Sequence, residues 1–190
     1  MSASGKKDRV VAYLGGRGSF SEEACRKFLP ECELMPLQDF EAVAMAVCQG
    51  SADVAVLPVH NSLVGPIEAV LVLLAHPELQ TVGEEELQVR LHLLGQNGTQ
   101  IGAIREVASH RAALDQCADF VAQHNLGTVV TGSTAEAARE VAEAADPTRA
   151  AIASEEAAKL YGLSILTRDV QNKAGSITRF SIVERRNQFA

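Results

Sequence analysis

No stretch of the sequence approaches the roughly 18 consecutive apolar residues of a membrane-spanning helix, so no membrane partner is expected. Basic clusters are equally scarce. Lys and Arg number 17 against 24 Asp and Glu, giving a net charge of -7 and a pI near 5.2. Nucleic acid is bound by clustered Lys and Arg, so it is not an expected partner either. A small anion needs only a local positive pocket and stays open. Cysteines are few, and Cys25, Cys32, Cys48 and Cys117 show no C-x-x-C spacing. Free buried thiols in a reducing cytosol are the expectation, with no zinc site and no disulfide. The polar segment Met1–Arg9 leads into only a short apolar run without a small-residue cleavage site, which argues against a secretory signal and for a cytoplasmic location. Repeats and low-complexity segments are lacking.

What remains is ordinary globular composition, 47% hydrophobic and 22% charged, in a chain of 190 residues that can bury a real core. Short apolar runs read as strands at Val10–Leu14, Glu33–Pro36, Val54–Val59, Leu87–Leu94, Ile104–Ala108, Thr128–Thr131, Ala150–Ala153, Ser164–Leu166 and Thr178–Val183. Helical patterns lie between them. They run over Glu22–Leu29 with Ser21 or Ser19 as cap, Phe40–Cys48 with Asp39 as cap, and Ile67–Leu74. Three more cover Arg111–His124, Thr134–Ala144 with Thr134 as cap, and Glu155–Tyr161. Strands alternating with helices predict an α/β fold with parallel sheets and crossover connections. About a dozen elements make an awkward single sheet, so two lobes are expected: residues 10–80 plus 166–186, and residues 81–165, with tails at 1–9 and 187–190. Ligands are then expected in a cleft between the lobes, at strand ends and helix starts.

Four segments place Gly, Ser, Asn or Thr after a strand. Gly15-Gly16-Arg17-Gly18-Ser19-Phe20-Ser21 can turn sharply and present amides and hydroxyls to an anion, or can simply cap a helix. It lacks the lysine of a phosphate loop, and no acidic partner for a dinucleotide follows. Pro58-Val59-His60-Asn61-Ser62 ends an apolar strand on three polar residues, suited to a pocket or to a backbone turn. Ser109-His110 closes another strand, as a pocket pair or a structural one. In Ser176-Ile177-Thr178-Arg179-Phe180 an arginine enters a strand from a hydroxyl-bearing loop, a disposition for bidentate carboxylate binding or for a surface ion pair.

Together these segments resemble the catalytic domain of prephenate dehydratases, in the family's order, from about Val10 to Glu184. Gly15, Gly18, Ser19, Phe20 and Ser21 match its glycine loop; Pro58, Val59, Asn61, Ser62 and Gly65 match its P-[IV]-E-N-S-x-x-G segment; Ser133 to Ala137 match its S-T-A-E-A helix start. Thr178-Arg179-Phe180 matches its T-R-F signature. Three positions depart: His60 replaces Glu, Arg111 follows Ser109-His110 in place of proline, and Ser176 replaces Asn.

The resemblance implies a fold like that of periplasmic binding proteins and conversion of prephenate, a small dianion, to phenylpyruvate in phenylalanine biosynthesis, without cofactor or metal. It further implies a homo-oligomer, dimer or tetramer. With the chain ending at Ala190, no phenylalanine-sensing ACT domain is expected to follow. Thr178 is expected to assist departure of the ring hydroxyl, Arg179 to hold a carboxylate, and His60 to act as an acid or to fill the Glu position as a neutral ring. Ser19, Ser21, Asn61, Ser62, Ser109, Thr134 and Phe180 are expected to contact substrate. Two alternatives stay open: a non-aromatising prephenate decarboxylase of the same fold, and a non-catalytic module that binds or senses a small acid.

Overall fold

The apolar runs of the sequence become two sheets in a computed structural model that describes residues 9–186. The described chain divides into two compact units: 9–15, 21–87 and 178–186 form the first, and 16–20 with 88–177 the second. Of the expected tails, 1–9 and 187–190, only Arg9 falls within the described residues.

In the first unit the strands are β1 (Val10–Leu14), β2 (Glu33–Leu37), β3 (Val54–Asn61), β4 (Gly65–Pro66), β5 (Leu79–Gln88) and β11 (Ile177–Arg185). They form a sheet in the order β2-β1-β3-β11-β5, with β4 paired to the end of β3. β1 and β3 are buried almost throughout, as expected of strands covered on both faces. Helices α1 (Phe20–Phe28), α2 (Phe40–Cys48) and α3 (Glu68–Leu74) accompany them. The Asp39 carboxylate caps α2 as expected, accepting from Ala42 N at 2.6 Å. The α2 face, with Val43 and Val47, packs on Ala12, Ala55, Leu57 and Val59 of the sheet.

The second unit carries β6 (His92–Gly95), β7 (Glu106–His110), β8 (Gly127–Thr131), β9 (Arg149–Ala153) and β10 (Ser164–Thr167), in the order β10-β6-β9-β7-β8. Its helices are α4 (Arg111–Gln116), α5 (Ala118–Gln123), α6 (Thr134–Ala144) and α7 (Glu155–Tyr161). Alanines dominate the buried face of α6, so the helix sits close against Leu94, Ala108 and Ala151. His92 is buried on β6, and its Nδ1 accepts from the Asp169 amide at 3.0 Å. Burial holds this imidazole below its ordinary range, partly offset by the Asp169 carboxylate.

Several expectations are corrected. The sheets are mixed rather than parallel, because β11 runs antiparallel to β3, and β6 antiparallel to both β9 and β10. The single strand expected over Leu87–Leu94 is the end of β5 and all of β6, separated where the chain passes from one unit to the other. There Val89 N donates to Ser176 O and Leu91 N to the Gln171 side chain, instead of to a neighbouring strand. The expected lobe borders shift accordingly. Residues 81–87 stay with the first unit because β5 neighbours β11 in the first sheet, while 166–177 stay with the second, where β10 pairs with β6. The expected strand Ile104–Ala108 starts later, after a short 3-10 turn at Ile101–Ala103, and the helix expected over Arg111–His124 breaks at Cys117. No helix among the described residues is long and apolar enough to cross a membrane.

Candidate active site

The end of β3 and the start of β11 bring four of the expected residues together. Thr178 lies opposite Asn61, and Arg179 opposite His60. The register then slips: Phe180 faces Pro58, so Val59 is an extra residue on β3. Pro58 has no N–H to give the ladder, which makes this a natural place for a bulge. The slip has a chemical consequence. Along a regular strand Asn61 would share a face with Leu57 and Val59. The extra residue turns it to the face of Thr178, and its Nδ2 donates to Thr178 Oγ1 at 2.9 Å.

The amide orientation follows from its other end. Asn61 Oδ1 accepts from Leu63 N at 3.0 Å and from Val64 N at 3.2 Å, so the nitrogen must face Thr178. Thr178 is 8% exposed. Its oxygen accepts from Asn61, leaving the hydroxyl proton uncommitted in that bond.

Arg179 stands on the other face of β11, next to His60 on β3. Its side chain is 46% exposed, and the Glu84 carboxylate of β5 lies 3.7 Å away, an ion pair without hydrogen-bond contact. Glu84 carries no signal in the sequence, because pairing of β5 with β11 is a matter of topology. Phe180, by contrast, is core. It is 1% exposed and meets Phe28 edge-on, with ring centroids 6.2 Å apart. Ser62 is exposed in the turn after β3, and Ser21 is the second residue of α1.

The remaining expected residues lie in the second unit. Ser19 directly precedes α1, in a loop docked on α7: Ser154 Oγ donates to Gly18 O at 3.2 Å and the Tyr161 hydroxyl to Arg17 O at 2.9 Å. Gly18 has φ +82°, and a Cβ there would come within 3.3 Å of Ala157 Cα, so any larger residue is strained and crowded. Ser109 is fully buried, and its hydroxyl donates to Ile152 O at 2.6 Å, fixing β7 to β9. His110 caps α4, its Nδ1 accepting from Ala112 N at 3.3 Å. Ser133, not Thr134, caps α6, accepting from Glu136 N at 3.0 Å, while the Glu136 carboxylate returns to Gly132 N at 2.8 Å. The S-T-A-E run is thus a capping arrangement, with Thr134 as the first helical residue. Burial pushes the Cys25 and Cys117 thiols up to about 12, which removes both as nucleophiles at neutral pH.

The residue pattern of the family described as prephenate dehydratase matches residues 11–188, nearly all of the chain. The chain belongs to the prephenate dehydratase family. An arogenate dehydratase/prephenate dehydratase of Arabidopsis thaliana is 41% identical over 175 residues, covering 92% of this chain and 46% of its own length. A bifunctional N-acyl-homoserine lactone acylase/prephenate dehydratase of Komagataeibacter europaeus is 36% identical over 179 residues, covering 94% of this chain and 64% of its own. Among solved structures, the prephenate dehydratase of Arthrobacter aurescens in complex with L-Phe superposes with a TM-score of 0.85 at 28% identity, over 94% of this chain and 61% of that one. The chain spans about half the length of the plant relatives it matches.

Proposed function

We propose that the chain dehydrates prephenate to phenylpyruvate in phenylalanine biosynthesis, with Thr178 serving the departing hydroxyl. The observation that carries this reading is the hydrogen bond from Asn61 to Thr178. In the reaction the bond to the ring carboxylate breaks and carbon dioxide leaves. That electron pair enters the ring, and the opposite C–O bond breaks, its oxygen leaving as water after taking a proton. The products are phenylpyruvate, carbon dioxide and water, and aromatisation makes the step downhill. What the protein supplies is carboxylate recognition and a proton donor aimed at the leaving oxygen. A threonine hydroxyl is a weak acid in water. Accepting from an amide polarises it, and pre-organisation out of water makes its donated bond worth more. Its proton is replaced from solvent after each turnover.

Arg179 is the proposed carboxylate ligand. An exposed ion pair such as that with Glu84 contributes little, so the guanidinium can be recruited at small cost. His60 supports the same reading, because an imidazole across from Arg179 puts no second carboxylate in competition for it. Arg179→Lys is expected to raise KM with little change in kcat, since a point charge cannot reproduce the planar fork. An unaltered KM in steady-state assays would leave Arg179 as a cross-strand partner of Glu84 and nothing more. Ser21 and Ser62 are proposed as further substrate contacts. The four free cysteines fit a reducing compartment, the cytoplasm.

The deciding experiment is incubation of the purified protein with prephenate and, separately, with arogenate, followed by mass spectrometry. Phenylpyruvate from prephenate is the expected result. Phenylalanine from arogenate alone would reassign the substrate; a non-aromatic decarboxylated acid would replace dehydration by decarboxylation. Binding without turnover of either would make the chain a small-acid binding module.

A further inference from the structure

Away from β11, three side chains with metal-binding atoms converge in the first unit. One donor atom from each of Cys48, His76 and Glu78 lies within 4.8 Å of the other two, and among the described residues they are the one such group. We propose that Cys48, His76 and Glu78 form a binding site for a divalent cation of the zinc class.

The separation suits the ion. Zn–S bonds of about 2.3 Å and Zn–N bonds of about 2.0–2.1 Å at tetrahedral angles put sulfur and nitrogen about 3.6 Å apart. Cys48 Sγ and His76 Nδ1 are 3.8 Å apart. His76 Nδ1 accepts from Glu78 N at 3.3 Å, so this nitrogen is unprotonated, and a metal bound to it would replace that long amide contact. The donor set, one thiolate, one imidazole and one carboxylate, is the mixture that zinc accepts and that calcium or magnesium, which take oxygen ligands, do not. Its charge balances, since thiolate and carboxylate together neutralise the dication. His76 is exposed and Cys48 buried, so the fourth position opens outward to water.

The frame around the cluster is already built. Cys48 is the last residue of α2, fixed by burial at 6% exposure. His76-Pro77-Glu78-Leu79 forms a tight turn between α3 and β5, closed by Leu79 N donating to His76 O at 3.0 Å. Proline at the second position presets that turn. The backbone just after β11 pins it, Arg186 N donating to Glu78 O at 2.7 Å. Two ligands therefore ride on a rigid turn and the third on a helix end, and binding needs only small side-chain adjustments. Bound cation would tie the end of α2 to the start of β5. Nothing in the spacing reveals this group, because Cys48 and His76 are 28 residues apart.

The test uses the full chain, titrated with Zn²⁺ and with Co²⁺ after chelator treatment. One equivalent per chain is expected, with a rise in melting temperature and, for Co²⁺, a sulfur-to-metal charge-transfer band. Cys48→Ser should abolish the band. His76→Gln, at an exposed position that leaves folding intact, should weaken binding by more than the roughly 10–100-fold typical of outer-shell changes. Turnover should not depend on the metal. Absence of stoichiometric binding overturns the proposal, as does binding of equal strength in both variants.

Discussion

Thr178→Ala is expected to turn prephenate over roughly 10²–10⁴-fold more slowly than the parent, with KM little changed. The substitution removes the hydroxyl that accepts from Asn61 and takes away the one donor proposed to face the leaving oxygen. The loss falls on kcat because a hydrogen bond to an oxygen gaining negative charge strengthens only as the C–O bond breaks. Thr178→Ser is the matching control, since it keeps the oxygen and should recover most of the rate. Steady-state kinetics on both variants provide the measurement. An alanine variant with unchanged kcat would exclude Thr178 from the chemistry. Uniform loss in both variants would point to packing, because Thr178 is buried. The alanine variant also removes the hydroxyl that Asn61 Nδ2 donates to.

Phe180→Ala is expected to destabilise the fold by about 3–5 kcal/mol while leaving KM of the folded fraction unchanged. Its ring is 1% exposed and stacks edge-on against Phe28 of α1, so truncation empties a site in the core between sheet and helix. Chemical denaturation monitored by circular dichroism gives the number, and Phe180→Leu should recover a good part of it. A raised KM without loss of stability would reverse the assignment and put the ring against substrate. Adjacent residues of one motif thus serve different ends: Thr178 faces Asn61, Arg179 stands exposed beside Glu84, and Phe180 anchors the strand that carries them.

Much of this was legible in the sequence. Alternating apolar runs and capping residues located most strands and helices, since burial and hydrogen-bond satisfaction at helix ends act locally. Asp39 is a case in which the cap could be read directly. Strand direction and crossing points were not legible, because a run such as Leu87–Leu94 keeps its alternation even where the chain changes sheets. The site was visible as a set of residue types but not as a geometry. That Asn61 meets Thr178 depends on one extra residue at Val59, and that Arg179 meets Glu84 depends on which strand lies beside β11. Ser109 and Thr134 show the converse. The family resemblance implied substrate contact for both; in the fold one hydroxyl ties two strands and the other residue opens a helix.

The place of β11 in the first sheet bears on how the chain comes to life. It lies between β3 and β5, although every other strand of both sheets is made before it. Until residues 177–185 leave the ribosome, β3 and β5 have no shared neighbour and Asn61 has no hydroxyl to hold. The second unit, almost continuous in the chain, can close on local contacts and fold early, whereas the first must wait for a distant segment to insert. Closure of the first sheet between β3 and β5, and assembly of the Thr178–Asn61 pair, therefore both depend on the segment that is synthesised after every other strand of the two sheets.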